Sequence, residues 1–303
     1  MIDRRSLLGL MAGTLVTSAA PAFAQEWKAK YPELVFALIP EENASGVVDR
    51  WTPFCDYMSK EIGTKVTLRV AQDYAAVIEG QRAGQIHIAY YGPASYARAT
   101  MTGAKIEPFA VEVNNDGTVG YHSVFYVKKD SPYKTVQDLK GKNFGLVDPH
   151  STSGNNVPRF ALDKMGIDPE TFFGKLVYTG SHENAVIALQ QGTVDAAANW
   201  WNNDVESNLR RMERKGLAKY DDFRIIYTSD LIVNSPFAVL SDLPADLKKS
   251  IATTMLELPT KNPDLFQKLY DGKRKPWQPI THDAYKPIVE LNKFVDELRR
   301  KKS

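Results

Sequence analysis

Phe144-Gly145-Leu146-Val147 is a short apolar run, and Asp148-Pro149-His150-Ser151-Thr152-Ser153-Gly154-Asn155-Asn156 follows it without a break. The run reads as a buried strand. From Val157 to Met165 apolar residues recur at helical spacing, and Gly166 ends the pattern. Three hydroxyls and a glycine therefore stand on a strand-to-helix turn. A helix start leaves backbone N–H groups unpaired and carries a partial charge of roughly +0.5. Short hydroxyl side chains beside those N–H groups make a site for a tetrahedral oxyanion. The turn alone leaves a second reading open, in which one Ser or Thr is simply the cap of the helix.

The same alternation extends outward on both sides. Leu34-Val35-Phe36-Ala37-Leu38-Ile39 reads as a buried strand that stops at Pro40. Val48, Trp51, Phe54, Cys55, Met58 and Ile62 then recur at helical spacing up to Gly63, which places Cys55 in a core. A strand at 65–70, a helix at 74–83 and a strand at 86–91 follow. Strand–helix alternation of this kind predicts an α/β fold with a mainly parallel sheet. A second copy of helix, glycine, one residue and strand occurs at 184–199, where Gly192 corresponds to Gly84. Two lobes built alike are expected, with crossings near 120–127 and 231–239. Amphipathic helices at 245–258 and 285–298 are expected to pack on the first lobe.

Length and composition agree with two medium domains. The chain has 303 residues, is 43% hydrophobic and 24% charged, and carries a formal charge of only +2. No block of basic residues argues for a nucleic-acid partner. Cys55 is the only cysteine, so neither an intrachain disulfide nor a cysteine metal cluster is available. Arg4-Arg5, the apolar run 7–16 and Ala22-Phe23-Ala24 read as an export leader, too short for a membrane span, with a mature chain from about Gln25. The arginine pair fits the twin-arginine route loosely, and the general route is equally open.

Taken in order, Trp51-Thr52-Pro53-Phe54, Asp73-Tyr74-Ala75, Ile78-Glu79-Gly80, Gly120-Tyr121, the turn at 148–154 and Ser181-His182-Glu183 resemble segments of the phosphate/phosphite/phosphonate periplasmic binding proteins. Those proteins are the solute-capturing components of ABC importers. The resemblance is clearest over 34–239. It implies an α/β, two-lobed periplasmic binding protein of type II with a ligand cleft between lobes. The expected division is a leader at 1–24, a first lobe from 25–127 and 236–303, and a second from 128–235. The expected partners are a small phosphonate-type ligand and an importer permease in the inner membrane. No cofactor, metal or catalytic residue is expected, and the location is the periplasm.

The resemblance also implies contacts. Ser151, Thr152 and Ser153 resemble the site for the phosphonyl oxygens, Tyr74 and Tyr91 resemble contacts from the first lobe, and His182 resembles the cleft histidine. Glu42 lies on the loop after the first strand, where a cleft contact fits, and Tyr121 is a further candidate. Relatives that prefer aminoalkyl phosphonates place carboxylates near the positions of Trp201 and Ser235, and neither residue is acidic here. Asp204 lies close by, and Trp200-Trp201 offer aromatic faces to an alkyl or ammonium group or pack in the lobe. Tyr90 and Tyr91 alternate across a strand, so only one can face the cleft.

Two other function classes remain on the residues alone. A hydrolase would use Ser151 as nucleophile, His182 as base and Asp148 as orienter, but no G-x-S-x-G elbow surrounds them. A ligand-sensing subunit for a membrane receptor would share every feature of a shuttle. The five histidines show no metal-ligand spacing, and the Gly-Lys-Ser/Thr ending of a phosphate loop is missing.

Overall fold

The computed structural model describes residues 26–301, so the expected export leader lies outside them. The strands among these residues are β1 (Glu33–Leu38), β2 (Lys65–Val70), β3 (Ile88–Tyr90), β4 (Ile106–Asn114), β5 (Gly120–Lys128), β6 (Asn143–Leu146), β7 (Lys175–Tyr178), β8 (Ala196–Trp201), β9 (Phe223–Thr228), β10 (Ile232–Val233), β11 (Pro236–Leu240) and β12 (Arg274–Gln278). They form two sheets, in the orders β12-β4-β11-β3-β1-β2 and β10-β5-β8-β6-β7, with β9 also on β5.

The lobes share one arrangement of strands. β2-β1-β3 and β7-β6-β8 are both parallel triplets with the first strand in the middle. An antiparallel strand then follows in each, β11 beside β3 and β5 beside β8. The expectation of a mainly parallel sheet therefore holds only for these triplets, which occupy one end of each sheet; the strands beyond them run antiparallel. The helices Tyr74–Arg82 and His182–Gln190 lead into β3 and β8 through Gly84 and Gly192, whose φ angles of 72° and 76° demand a residue without Cβ.

Local chemistry accounts for the elements. In the helix Ala44–Ile62, Asn43 accepts the Gly46 N–H as cap, and Val47, Trp51, Phe54, Cys55, Met58 and Ile62 form the buried stripe. Trp51 and Phe54 meet Phe36 of β1 with ring centroids 5.5 and 5.3 Å apart, in the tilted geometry aromatic rings prefer. Cys55 is core filler, as its spacing predicts. Among the described residues no helix is long and apolar enough to cross a membrane.

The crossings need one correction. The sequence boundary after Val127 would leave β5 in the first lobe, yet every partner of β5 (β8, β9 and β10) belongs to the second sheet. The outward crossing is therefore 115–119. The return is at Asn234 and Ser235, between β10 and β11, as expected. Asparagines tie the two crossings together: Asn114 Nδ2 donates to Gly120 O at 2.6 Å, and Asn234 Nδ2 donates to Glu112 O at 2.9 Å. The last helix, Lys286–Arg300, also departs from expectation, because it packs on both lobes. Arg98 of the first lobe makes two bonds to Asp296, at 2.8 and 2.7 Å, while Phe160 of the second stacks edge-on against Phe294. Asn292, fully buried, joins them by donating to Ala94 O at 2.8 Å and accepting from Asn156 Nδ2 at 2.7 Å.

Candidate functional site

The turn after β6 holds its three hydroxyls by folding back on itself. Val147 N–H donates to Gly154 O at 2.9 Å, and Ser151 Oγ accepts the Gly154 N–H at 3.1 Å. Thr152–Asn156 forms one wide, π-type turn that runs into the helix Val157–Lys164. Such widened turns are frequent at functional sites, because they re-aim side chains out of the regular ladder. Ser123 Oγ of β5 donates to Ser153 O at 2.7 Å and fixes the turn from below. The capping reading is realised in Ser151, and the turn nevertheless faces the cavity. Gly154 is needed for space. A Cβ there would stand 2.4 Å from Val147 Cβ. Gly154→Ala is expected to destabilise the protein by about 1–3 kcal/mol through overpacking, measured by urea unfolding.

The turn opens on a cavity of about 30 Å³ between the lobes, room for about two water-sized groups. Ser151, Thr152, Ser153, Tyr74, Tyr121 and His182 all line it, and all are buried. Tyr74 begins the helix Tyr74–Arg82, capped by Asp73, so its ring is aimed by the helix start. Its hydroxyl is buried and donates to no acceptor in good geometry among the described residues, with Ser151 within its reach, an arrangement that costs about 1–3 kcal/mol unless something in the cavity accepts its proton. Burial holds the Tyr74 phenol well above its usual range, so it remains a donor. Thr152 bridges the cleft. Its Oγ1 accepts the Ala94 N–H at 2.8 Å, from a helix, Pro93–Met101, whose own cap residue Gly92 has no side chain to offer. The Thr152 proton is thereby left for the cavity.

His182 opens the helix His182–Gln190. Its Nδ1 lies 3.0 Å from Asn199 Oδ1 and its Nε2 lies 3.4 Å from Ser151 Oγ. Burial, reinforced by the nearby Arg211 charge, pushes its pKa down to about 3, against the opposing bond to Asn199. The imidazole is therefore neutral. The hydrolase arrangement is not formed at this position: Asn199 holds the orienting place, and Asp148 Oδ1 instead accepts the His150 N–H at 2.7 Å. An amide orienter supplies no charge to stabilise an imidazolium.

Charged side chains line the same cavity. Arg211 and Arg274 line it together with Glu41 and Glu112. Arg211 lies 3.3 Å from Glu206 and 3.8 Å from Glu41, with its guanidinium 5.0 Å from the Trp200 ring centroid. Burial disfavours its charge, but Glu206, Glu42 and Glu41 outweigh burial and raise its pKa. Burial raises Glu41 to about 7, against the pull of Arg211. A smaller void behind Glu41 and Arg211 reaches Arg50 and Trp51.

The family described as "ABC transporter, phosphonate, periplasmic substrate-binding protein" matches residues 36–285. The chain belongs to that family. It is 34% identical over 243 residues to the phosphonates-binding periplasmic protein of Escherichia coli, covering 78% of this chain and 69% of the relative. It is 29% identical over 232 residues to a phosphate-import protein of Mycolicibacterium smegmatis, covering 74% and 71%. Among solved structures, a binding component of an ABC phosphonate transporter from Pseudomonas aeruginosa superposes with a TM-score of 0.80 at 28% identity, covering 90% and 89% of the two chains. Another, from Prochlorococcus marinus and in complex with methylphosphonate, shares the fold with a TM-score of 0.74 at 21% identity, covering 88% and 98%.

Within this phosphonate-binding family frame, four residues expected at the cleft stand elsewhere. Tyr91 points into the first lobe, where its hydroxyl donates to Val77 O at 3.4 Å and its ring packs on Tyr96; Tyr90 lines the cavity instead. Glu42 pairs with Arg50 and Lys215 beside the cavity, and its neighbour Glu41 faces it. Trp201 packs near His122, and Trp200 lines the cavity. Asp204 is engaged through its backbone carbonyl, which accepts from Arg210 Nε at 2.9 Å. Three of these are shifts of a single residue. On an extended backbone one step reverses the face, which accounts for Tyr90 and Trp200; Glu41 and Glu42 stand in the bend after β1. Arg211 and Arg274 lay outside the sequence reading altogether; each sits in a charged, outwardly ordinary stretch.

Proposed function

We propose that this chain captures a small phosphonate or related phosphorus oxyanion in the interlobe cavity and hands it to the permease of an ABC importer. On this reading residues 1–24 are an export leader and the mature chain works in the periplasm. The supporting observation is the convergence of neutral donors on one small space. The Thr152 proton, the Tyr74 hydroxyl, and the hydroxyls of Ser151, Ser153 and Tyr121 surround it. A phosphonyl group offers three acceptor oxygens, and neutral donors grip it more weakly than a bidentate arginine would. A shuttle must release its cargo, so that grip suits delivery. The headgroup lies at the turn, and its substituent points toward Glu41 and Arg211. The size of the cavity favours a short substituent.

Titration calorimetry with methylphosphonate, phosphite, phosphate and methanesulfonate tests the assignment. Saturable binding of at least one phosphorus oxyanion is expected. A response to methanesulfonate alone would overturn it. Tyr74→Phe is expected to weaken binding by about 1.5–3 kcal/mol, the value of a hydrogen bond to a charged group, without lowering the urea midpoint of the free protein. Unchanged affinity in that variant would remove Tyr74 from the site.

A further inference from the structure

We infer that His182 reads the protonation state of the bound anion, accepting a P–OH proton at Nε2, so that the site takes the singly protonated form of the ligand and rejects the fully ionised one. This rests on the phosphonate reading above. The hydrogen-bond network around His182 fixes its tautomer. Asn199 Oδ1 accepts the Trp200 N–H at 2.9 Å, and Asn199 Nδ2 donates to His182 O at 3.0 Å, so the amide cannot be reversed. The Asn199 oxygen therefore faces Nδ1, and Nδ1 carries the hydrogen. Nε2 is therefore the acceptor on the cavity side, where it takes the Ser151 Oγ proton at 3.4 Å.

The proton count then decides between ligand forms. Ser151 Oγ already accepts the Gly154 N–H and has one proton to give. With a dianion Ser151 must choose: given to the anion, its proton leaves the Nε2 lone pair facing an anionic oxygen, and kept on Nε2, it leaves the anion one donor short. If Ser151 donates to one oxygen of a monoanion, the P–OH of that ligand donates to Nε2 and every group is satisfied. Imidazolium is disfavoured by burial first and by Arg211 second, and an imidazolium on a dianion would hold the same single proton as a neutral imidazole on a monoanion. A sulfonate carries no such proton and meets the same lone pair as the dianion does.

Other charges near His182 must be separated from this effect. Arg211 and Glu41 also line the cavity, whereas Glu183, next on the same helix, is turned to Lys215 and to the Asn43 N–H. Asp148 is held by the His150 N–H. Glu41, raised to about 7, loses its proton as pH rises and would also weaken anion binding, but at one pH for every ligand. The ligand's own proton moves with the ligand.

The test is calorimetry on the intact protein from pH 5 to 8 with methylphosphonate and difluoromethylphosphonate, whose fluorines lower its second ionisation. Above its second pKa each ligand is expected to lose affinity about tenfold per pH unit, the fluorinated one at lower pH. At pH 7 it is expected to bind at least tenfold more weakly than methylphosphonate, with the gap closing toward pH 5. In His182→Gln, whose amide can donate to the anion, the two are expected to converge at pH 7. Loss of affinity at one shared pH would overturn the inference and leave the phosphonate reading standing. Discrimination that survives in His182→Gln would remove the role from His182. No binding of either ligand at any pH would overturn the phosphonate reading itself.

Discussion

Glu206→Gln is expected to destabilise the protein by about 3–5 kcal/mol, although residue 206 does not itself line the cavity. Its carboxylate, almost fully buried, is shared by Arg211 at 3.3 Å and Arg214 at 2.7 Å. A neutral amide of the same shape leaves the buried Arg211 guanidinium with Glu41 as its nearest anion, at 3.8 Å. It also removes the charge that two converging guanidiniums share. Removing one partner of a buried pair is costly because the other remains desolvated and unmatched. Arg214→Met is the comparison. That side chain is partly exposed and lies on the rim, where an ion pair contributes about 0–1 kcal/mol. Urea unfolding of the free protein decides the matter. Equal, small losses in both variants would mean that Glu206 does not hold Arg211 in place. The cavity depends on it indirectly, since Arg211 is one of two arginines lining it and adds to the burial that keeps His182 neutral.

Why the turn was legible in the sequence and Arg211 was not follows from the physics of each. Ser151, Thr152, Ser153 and Gly154 act locally: their geometry comes from a strand end, a cap and a helix start, all contiguous. The repeat of helix, glycine and strand at 74–90 and 182–201 is equally local, and it predicts the parallel triplet of each sheet. The partners of β5 are not local. A strand of alternating apolar residues can join whichever sheet presents an edge, and only the closed fold shows that β8 does so. Glu41 and Glu42, Tyr90 and Tyr91, and Trp200 and Trp201 mark the limit more finely. Each pair is placed correctly along the chain, and which member faces the cleft depends on the twist with which the strand arrives. Arg211 and Arg274 owe their place to Glu206 and Glu112, partners distant in the chain or set by a helix start. No spacing rule announces a cation that is buried only because a carboxylate awaits it.

On the proposed reading Thr152 joins ligand binding to lobe closure, and Thr152→Val is then expected to weaken phosphonate binding about 100-fold, or about 2.7 kcal/mol. Valine keeps the shape and removes two bonds. One is the proton offered to the anion. The other is the acceptor for the Ala94 N–H, which lies on the opposite lobe at 2.8 Å. In an open state that N–H turns to water and costs little; in the closed state of the variant it is buried with no acceptor. The loss therefore falls on the closed form, where the ligand is held. Thr152→Ser keeps the hydroxyl and is expected to bind within about threefold of the parent, since a lost methyl contributes less than 1 kcal/mol here. Small-angle scattering separates the two effects: at saturating methylphosphonate, the valine variant should remain more extended than the serine variant. If valine binds as tightly as threonine, the hydroxyl triplet is a helix cap and nothing more. If valine binds weakly yet compacts fully, the Ala94 bond plays no part in closure and only the contact with the anion is lost.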